Sequence, residues 1–252
     1  MRIIRHFITT VLLAVAVAGP AIAKETPASV DFKACPQFFV TGAAPHIPAS
    51  DHLRFRSLCY DAFAVLHSGR SKTPVFVAQR LNRASLQAAA GEKRTNKFFA
   101  DARLPYAERA QLDDYKGSGF DRGHMAPAGD MPAAQAMAQS FSLANMVPQA
   151  PLNNQRSWNG IEQATRKYVL RAHGDVYVIT GPVFADNPRV IGPGKVWVPK
   201  YLYKLVYDAT TGRAWAHWME NTDEARAGRP ITYRELVNRT GIEFLPGMPV
   251  RD

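Results

Sequence analysis

The stretch Asp121-Arg122-Gly123-His124-Met125-Ala126-Pro127-Ala128-Gly129-Asp130 sets an imidazole, a guanidinium and two carboxylates close together in the chain. Gly117-Ser118-Gly119-Phe120 leads into it, and the glycines with Pro127 predict a loop or short strand in place of a helix. Histidine changes charge nearest neutral pH, and arginine is a permanent cation whose planar fork matches phosphate oxygens. A histidine on a rigid turn, two positions from an arginine, suits proton transfer beside an anion. A lone turn histidine is as well read as a solvated one, so the weight falls on the residues downstream.

A second constellation lies there: Asn145-Met146-Val147-Pro148-Gln149, then Asn153-Asn154-Gln155-Arg156-Ser157-Trp158, then Glu162. Asp-Arg-Gly-His, then Asn-x-x-Pro-Gln, then an Asn with Trp four and Glu eight residues later, resembles the DNA/RNA non-specific endonucleases of the ββα-metal (His-Me finger) superfamily, of the secreted bacterial nuclease and endonuclease G type. A single short motif arises by chance, whereas two in order at fixed spacing are specific. The resemblance runs loosely from Cys59 to Glu220.

The resemblance implies a metal-dependent hydrolase that cuts DNA and RNA without regard to sequence or sugar and leaves 5′-phosphate ends. It implies His124 as general base, Asn154 as direct ligand of Mg²⁺ or another divalent ion such as Mn²⁺, and Glu162 in an outer-sphere role. Arg122 would bind phosphate, Asn145 would support the metal or His124 geometry, and an upstream arginine would stabilise the transition state. Arg94 is the candidate for that arginine, with Lys97 or Arg103 as substitutes. A homodimer and an inhibitor protein are also compatible with the resemblance. Elementary chemistry agrees in part. A hard divalent ion accepts an amide oxygen and keeps several waters, so no carboxylate cluster is required. Glu162 lies about 12 Å of helix rise beyond Asn154, too far to share one ion with it. Asp121 reads as an ion-pair or backbone-orienting partner and not as a ligand. Two other readings stay open: a catalytically silent nucleic-acid-binding protein on the same fold, and a phosphodiesterase for small substrates.

The elements that must carry these residues can be read from periodicity. Leu58 to His67 and Pro74 to Leu81 predict a β-hairpin around a Gly-containing loop, followed by a helical turn over Leu86 to Ala90. Residues 91–119 read as irregular and basic. Pro132 to Ser140 predicts a helix, and Phe141 to Val147 a short extended segment. Asn153 or Asn154 is a natural N-cap for a helix burying Trp158, Ile161, Tyr168 and Val169, which makes Trp158 a core residue. Val176 to Thr180 predicts a buried strand broken at Gly181-Pro182. Val196 to Val198 forms another, Tyr201 to Tyr207 pairs with Arg213 to Met219, and a last helix spans Ile231 to Asn238, capped by Thr232 or Pro230. The order implies an α+β domain on an antiparallel sheet with flanking helices.

The chain has 252 residues and a net charge of +10, which points to a polyanionic partner, simple solubility or an anionic surface. Met1 to His6 is basic, Phe7 to Ala18 apolar, and Ala21-Ile22-Ala23 a small-x-small site, the pattern of a signal peptide over residues 1–23. The expected location is therefore periplasmic or secreted, with no membrane association in the mature form. An uncleaved N-terminal anchor is the alternative. Residues 24–52, rich in proline, read as an extended arm, and 53–252 as the nuclease domain. Cys35 and Cys59 form an even pair that suggests one disulfide, and no thiolate zinc spacing is present.

Overall fold

Apolar runs on both faces of the chain's long strands produce a sheet buried from two sides. The computed structural model describes residues 30–48 and 50–251, so the expected leader over 1–23 lies outside the described residues. The sheet opens with β1 (Phe55–Cys59), β2 (Ala64–Ser68) and β3 (Thr73–Leu81), followed by α1 (Arg83–Ala89) and the short α2 (Leu112–Tyr115). Next come β4 (Asp121–His124), α3 (Ala134–Ser140), β5 (Met146–Gln149), a π-helical stretch over Asn153–Trp158 and α4 (Asn159–Val169). The chain finishes with β6 (Val176–Val183), β7 (Val190–Ile191), β8 (Val196–Trp197), β9 (Tyr201–Asp208), β10 (Arg213–Glu220) and α5 (Tyr233–Thr240). The main sheet runs β1-β2-β3-β6-β9-β10, antiparallel throughout, with β4-β5 and β7-β8 as separate ribbons.

Strand alternation sorts the side chains into two cores. Leu66 and Phe76 face one side, with Tyr203 and Leu205, against Phe32, Phe38 and Phe39 of the arm and Leu236 of α5. Val65, Val77, Leu202 and Met219 face the other, beneath Met125, Met131, Phe141, Trp158 and Ile161. The arm is thus part of the core, and Cys35 is bonded to Cys59. The ribbon β4-β5 and helix α4 lie on the second face, so the sheet is their floor.

Four local expectations need correction. The run Leu58 to His67 is two strands, because Asp61-Ala62 turns the chain: the Tyr60 N–H donates to the Phe63 carbonyl at 2.9 Å, and Gln139 holds Asp61 by two hydrogen bonds. β6 does not break at Gly181-Pro182. Its pairing with β3 stops at Thr180 while that with β9 continues to Val183, so Pro182 falls where β6 has one neighbour fewer. Phe141 to Val147 includes a 3-10 turn over Leu143–Asn145 before β5 begins. Asn154 is not an N-cap. Helical backbone is already under way before it, and the remote residues Asn221 and Asp223 accept the N–H groups of Ala150 and Leu152 at 2.9 and 2.7 Å. The β9-β10 hairpin and α5 form as expected, the latter with Thr232 accepting from the Glu235 N–H and Gly241 closing it at φ 68°.

Candidate active site

β4 and β5 pair in register from Asp121↔Gln149 to His124↔Met146, and α4 follows, so one β-β-α unit carries His124, Asn154 and Glu162. Gly123 is required at its position, since a Cβ there would lie 2.0 Å from the Gln149 Oε1. The segment after His124 is pinned by Asn145, which is fully buried. Its Oδ1 accepts the Ala126 N–H, and its Nδ2 donates to the carbonyls of Ala126 and Ser140, each at 2.9 Å. Both Nδ2 protons and one oxygen lone pair of that amide are thus bound to the backbone around His124.

His124 is 8% exposed and lies between two aromatic rings, 5.0 Å from Phe141 edge-on and 5.9 Å from Phe98. Its Nε2 is buried without a hydrogen-bond partner among the described residues. Burial, helped by the Arg94 cation, pushes the imidazole pKa down to about 3, so the ring is neutral at physiological pH. The same two rings hold cations. Arg94 stands over Phe141 at 4.9 Å and Arg122 over Phe98 at 4.2 Å. Neither guanidinium is in an ion pair among the described residues. Arg103, the substitute, is committed elsewhere: it pairs with Asp101 at 2.7 Å and donates to the Cys59 carbonyl.

The neighbouring asparagines divide. Asn153 is buried, its Oδ1 accepting from Gln149 and its Nδ2 donating to the Glu220 carbonyl. Asn154 is partly exposed, and its Nδ2 donates to the Asp121 Oδ2 at 2.9 Å, as does the Gln155 Nε2. An ionised carboxylate only accepts hydrogen bonds, so Asp121 forces the Asn154 NH₂ inward and turns its carbonyl oxygen away. The π-helical stretch inserts an extra residue between Asn154 and the fully buried Trp158, a feature frequent at functional sites. A hydrated divalent ion fits this donor set. Asn154 presents an amide oxygen turned from its hydrogen-bonded NH₂, a hard ligand of the kind such an ion accepts.

Glu162 is partly buried, and desolvation lifts its pKa to about 7, opposed chiefly by Lys204 and also by Arg166 and Arg94, while Asp130 raises it. Arg94 therefore acts on both His124 and Glu162. Sequence reading passed over Phe98, Gln155 and Lys204, and it expected Asp121 in an ion pair or on the backbone, where the structure has its carboxylate accepting from the Asn154 and Gln155 amides. The lysine had one signal: it interrupts the run Tyr201-Leu202-Tyr203-Lys204-Leu205-Val206, which is apolar on both faces.

The profile of the family described as DNA/RNA non-specific endonuclease matches residues 44–251. The mitochondrial nuclease EXOG of Homo sapiens is 36% identical over 159 residues, covering 59% of this chain and 43% of that protein. Mitochondrial endonuclease G of Homo sapiens is 36% identical over 168 residues, covering 62% and 54%. Nuclease C1 of Cunninghamella echinulata var. echinulata is 37% identical over 158 residues, covering 58% and 62%. The chain thus spans about half the length of the curated relatives it matches. In fold it is similar to the crystal structure of the EndoG/EndoGI complex, with a TM-score of 0.66 over 77% of this chain and 86% of that chain at 24% identity. The expected periplasmic or secreted location is overturned by these relatives, since the EXOG and endonuclease G proteins are mitochondrial nucleases. Among the described residues no helix is long and apolar enough to cross a membrane. With its profile matched over most of its length, its β-β-α unit in place and its fold shared, the chain belongs to the DNA/RNA non-specific endonuclease family.

Proposed function

We propose that this protein is a divalent-metal-dependent endonuclease that hydrolyses phosphodiester bonds in DNA and RNA without sequence selection. The observation that carries this reading is a buried, neutral imidazole with an orphaned Nε2, set beside two guanidiniums that are in no ion pair among the described residues. His124 takes a proton from the attacking water as its oxygen bonds to phosphorus. Arg94 and Arg122 offset the charge that builds on the phosphoryl oxygens, the bond from phosphorus to the 3′ oxygen breaks, and that oxygen leaves with a proton from solvent. The products are a 5′-phosphate and a 3′-hydroxyl end. The Asn154 carbonyl oxygen would hold Mg²⁺ or Mn²⁺, with Asp121 fixing the amide and Glu162 on the outer side. The ion would supply charge stabilisation at the phosphate and the leaving oxygen. Phosphate contacts carry no sequence information, which accounts for indiscriminate cutting.

The test is supercoiled plasmid and RNA incubated with the protein, with and without EDTA. Cleavage of both polymers, abolished by EDTA and by His124→Ala with binding retained, is the expected result. A His124→Ala protein that digests plasmid at the wild-type rate refutes the assignment of the base. A wild-type protein that binds but never cuts points to the silent binding reading.

A further inference from the structure

The β7-β8 ribbon takes no part in the steps assigned to His124, Arg94 and Arg122, yet it is fixed against the strands that carry them. Ile191 and Val196 are buried with Leu143 and Met146, and Met146 is the β5 residue paired with His124. The turn between β7 and β8 is held as well. The Gly194 N–H donates to the Asp114 carboxylate, and a Cβ at Gly192 would lie 2.2 Å from the Asp114 Cα, so only glycine allows the approach. At the other end of the ribbon the Arg189 carbonyl accepts the Val198 N–H at 2.8 Å. The Arg189 side chain leaves from this fixed backbone and lies over the Phe120 ring, 4.8 Å from its centroid.

Phe120 directly precedes β4. Continuing the alternation of that strand back by one residue puts Phe120, Arg122 and His124 on one side, and Asp121 on the other, where it meets Asn154 and Gln155. The contacts agree. Phe98 touches both Arg122 and His124, and Phe98 and Phe120 pack against the same buried cluster. Three arginines therefore stand in file, each on an aromatic ring: Arg94 on Phe141, Arg122 on Phe98 and Arg189 on Phe120. Two residues of strand advance about 6.6 Å, comparable with the separation of neighbouring phosphates along one nucleic-acid strand. Arg189 is exposed and is in no ion pair among the described residues. An isolated surface arginine commonly serves solubility alone. This one is seated on a ring, at the end of a row that begins at the buried imidazole, with a planar fork suited to phosphate oxygens.

We propose that Arg189, seated on Phe120, binds the phosphate next to the one being cut on the same strand, while Arg94 and Arg122 hold the scissile phosphate. This rests on the nuclease reading. A contact of this kind sets the register of the strand without touching a base edge, so it serves DNA and RNA alike.

The experiment compares the full-length wild type with Arg189→Ala, Arg189→Lys and Lys33→Ala. Lys33 is an exposed cation of the arm, on the other side of the main sheet, and controls for loss of charge alone. Binding of a labelled single-stranded oligonucleotide is measured against salt in metal-free protein. In Arg189→Ala the slope of log K against log salt becomes shallower by about 0.7, the loss of one phosphate contact. The affinity gap to the wild type therefore narrows by about 2.6-fold for each fourfold rise in salt. Arg189→Lys restores the slope, and Lys33→Ala leaves it at the wild-type value. Cleavage with Mg²⁺ is then compared on the oligonucleotide and on a dinucleoside monophosphate, which has no neighbouring phosphate. The ratio of kcat/KM between the two substrates falls in Arg189→Ala, through KM and not kcat. An unchanged slope, an equal change in Lys33→Ala, or an equal loss on both substrates overturns the proposal. If the wild type binds nucleic acid but cuts none, the nuclease reading fails by itself, while the binding slope still decides the Arg189 contact.

Discussion

Replacing Asp121 by alanine tests the most specific feature of the site, an amide aimed by a carboxylate. Asp121 Oδ2 accepts from Asn154 and Gln155, each at 2.9 Å, and the carboxylate is in no ion pair among the described residues. Its backbone pairs with Gln149 whatever the side chain, so the ribbon survives the change. A hydrogen bond to a charged group contributes about 1.5–3 kcal/mol, and loss of an outer-shell partner typically weakens metal affinity about 10–100-fold. Since 1.4 kcal/mol is about tenfold in an equilibrium constant, the two scales agree. Released from Asp121, the Asn154 amide turns freely and its oxygen no longer points one way. The expected result is a rise of about 10- to 100-fold in the Mg²⁺ concentration needed for half-maximal plasmid cleavage, with most of the rate regained at saturation. Asn154→Ala, which removes the oxygen itself, regains little. An unchanged metal dependence with a lower plateau would refute the orienting role and assign Asp121 to the chemistry.

Asn145→Ala leaves the Ala126 N–H and the carbonyls of Ala126 and Ser140 buried and unpaired, so unfolding midpoints in denaturant should report a loss of about 2–5 kcal/mol, with activity falling as the His124 loop loosens. Replacing Cys35 and Cys59 by serine opens a loop with a sequence separation of 24 and should cost about 2–4 kcal/mol by the same measurement, while cleavage at room temperature is unaffected because the site lies on the opposite face of the sheet. His67 is fully buried and donates from Nε2 to the Glu108 carbonyl, and burial pushes its pKa down to about 4. The unfolded chain, with an ordinary histidine near 6.5, binds the proton first, so stability falls as pH drops from 6.5 to 4, by about 3 kcal/mol from this residue. His67→Gln should flatten that part of the stability curve, and an unchanged slope would remove His67 as its source.

What the sequence disclosed was what is encoded locally. The two motifs lie within the β-β-α unit, and the β9-β10 hairpin and α5 carry their turn and cap residues with them. Three of the four misreadings share a cause, a partner remote in the chain, whereas the 3-10 turn over Leu143–Asn145 is held locally by Ser142. Gln139 holds the turn at Asp61 from 78 positions away, and Asn221 caps the helix start from 71 away, leaving Asn154 free for other use. Pro182 is tolerated because of where β3 ends. The choice among Arg94, Lys97 and Arg103 was equally unreadable. Which of them stands by His124 depends on tertiary contacts: Asp101 captures Arg103, while Arg94 lies over Phe141 beside the imidazole.

The same dependence on distant residues governs how the site responds to pH. In a hydrolase with a histidine base, an acid limb near neutrality is ordinarily assigned to the imidazole. Here burial against Phe98 and Phe141 holds His124 near 3, so the imidazole is neutral at physiological pH. The group that titrates near 7 is Glu162, lifted by desolvation under α4 and restrained by Lys204. On the proposed mechanism, an acid limb in the cleavage rate is therefore expected from the Glu162 carboxylate and not from the imidazole.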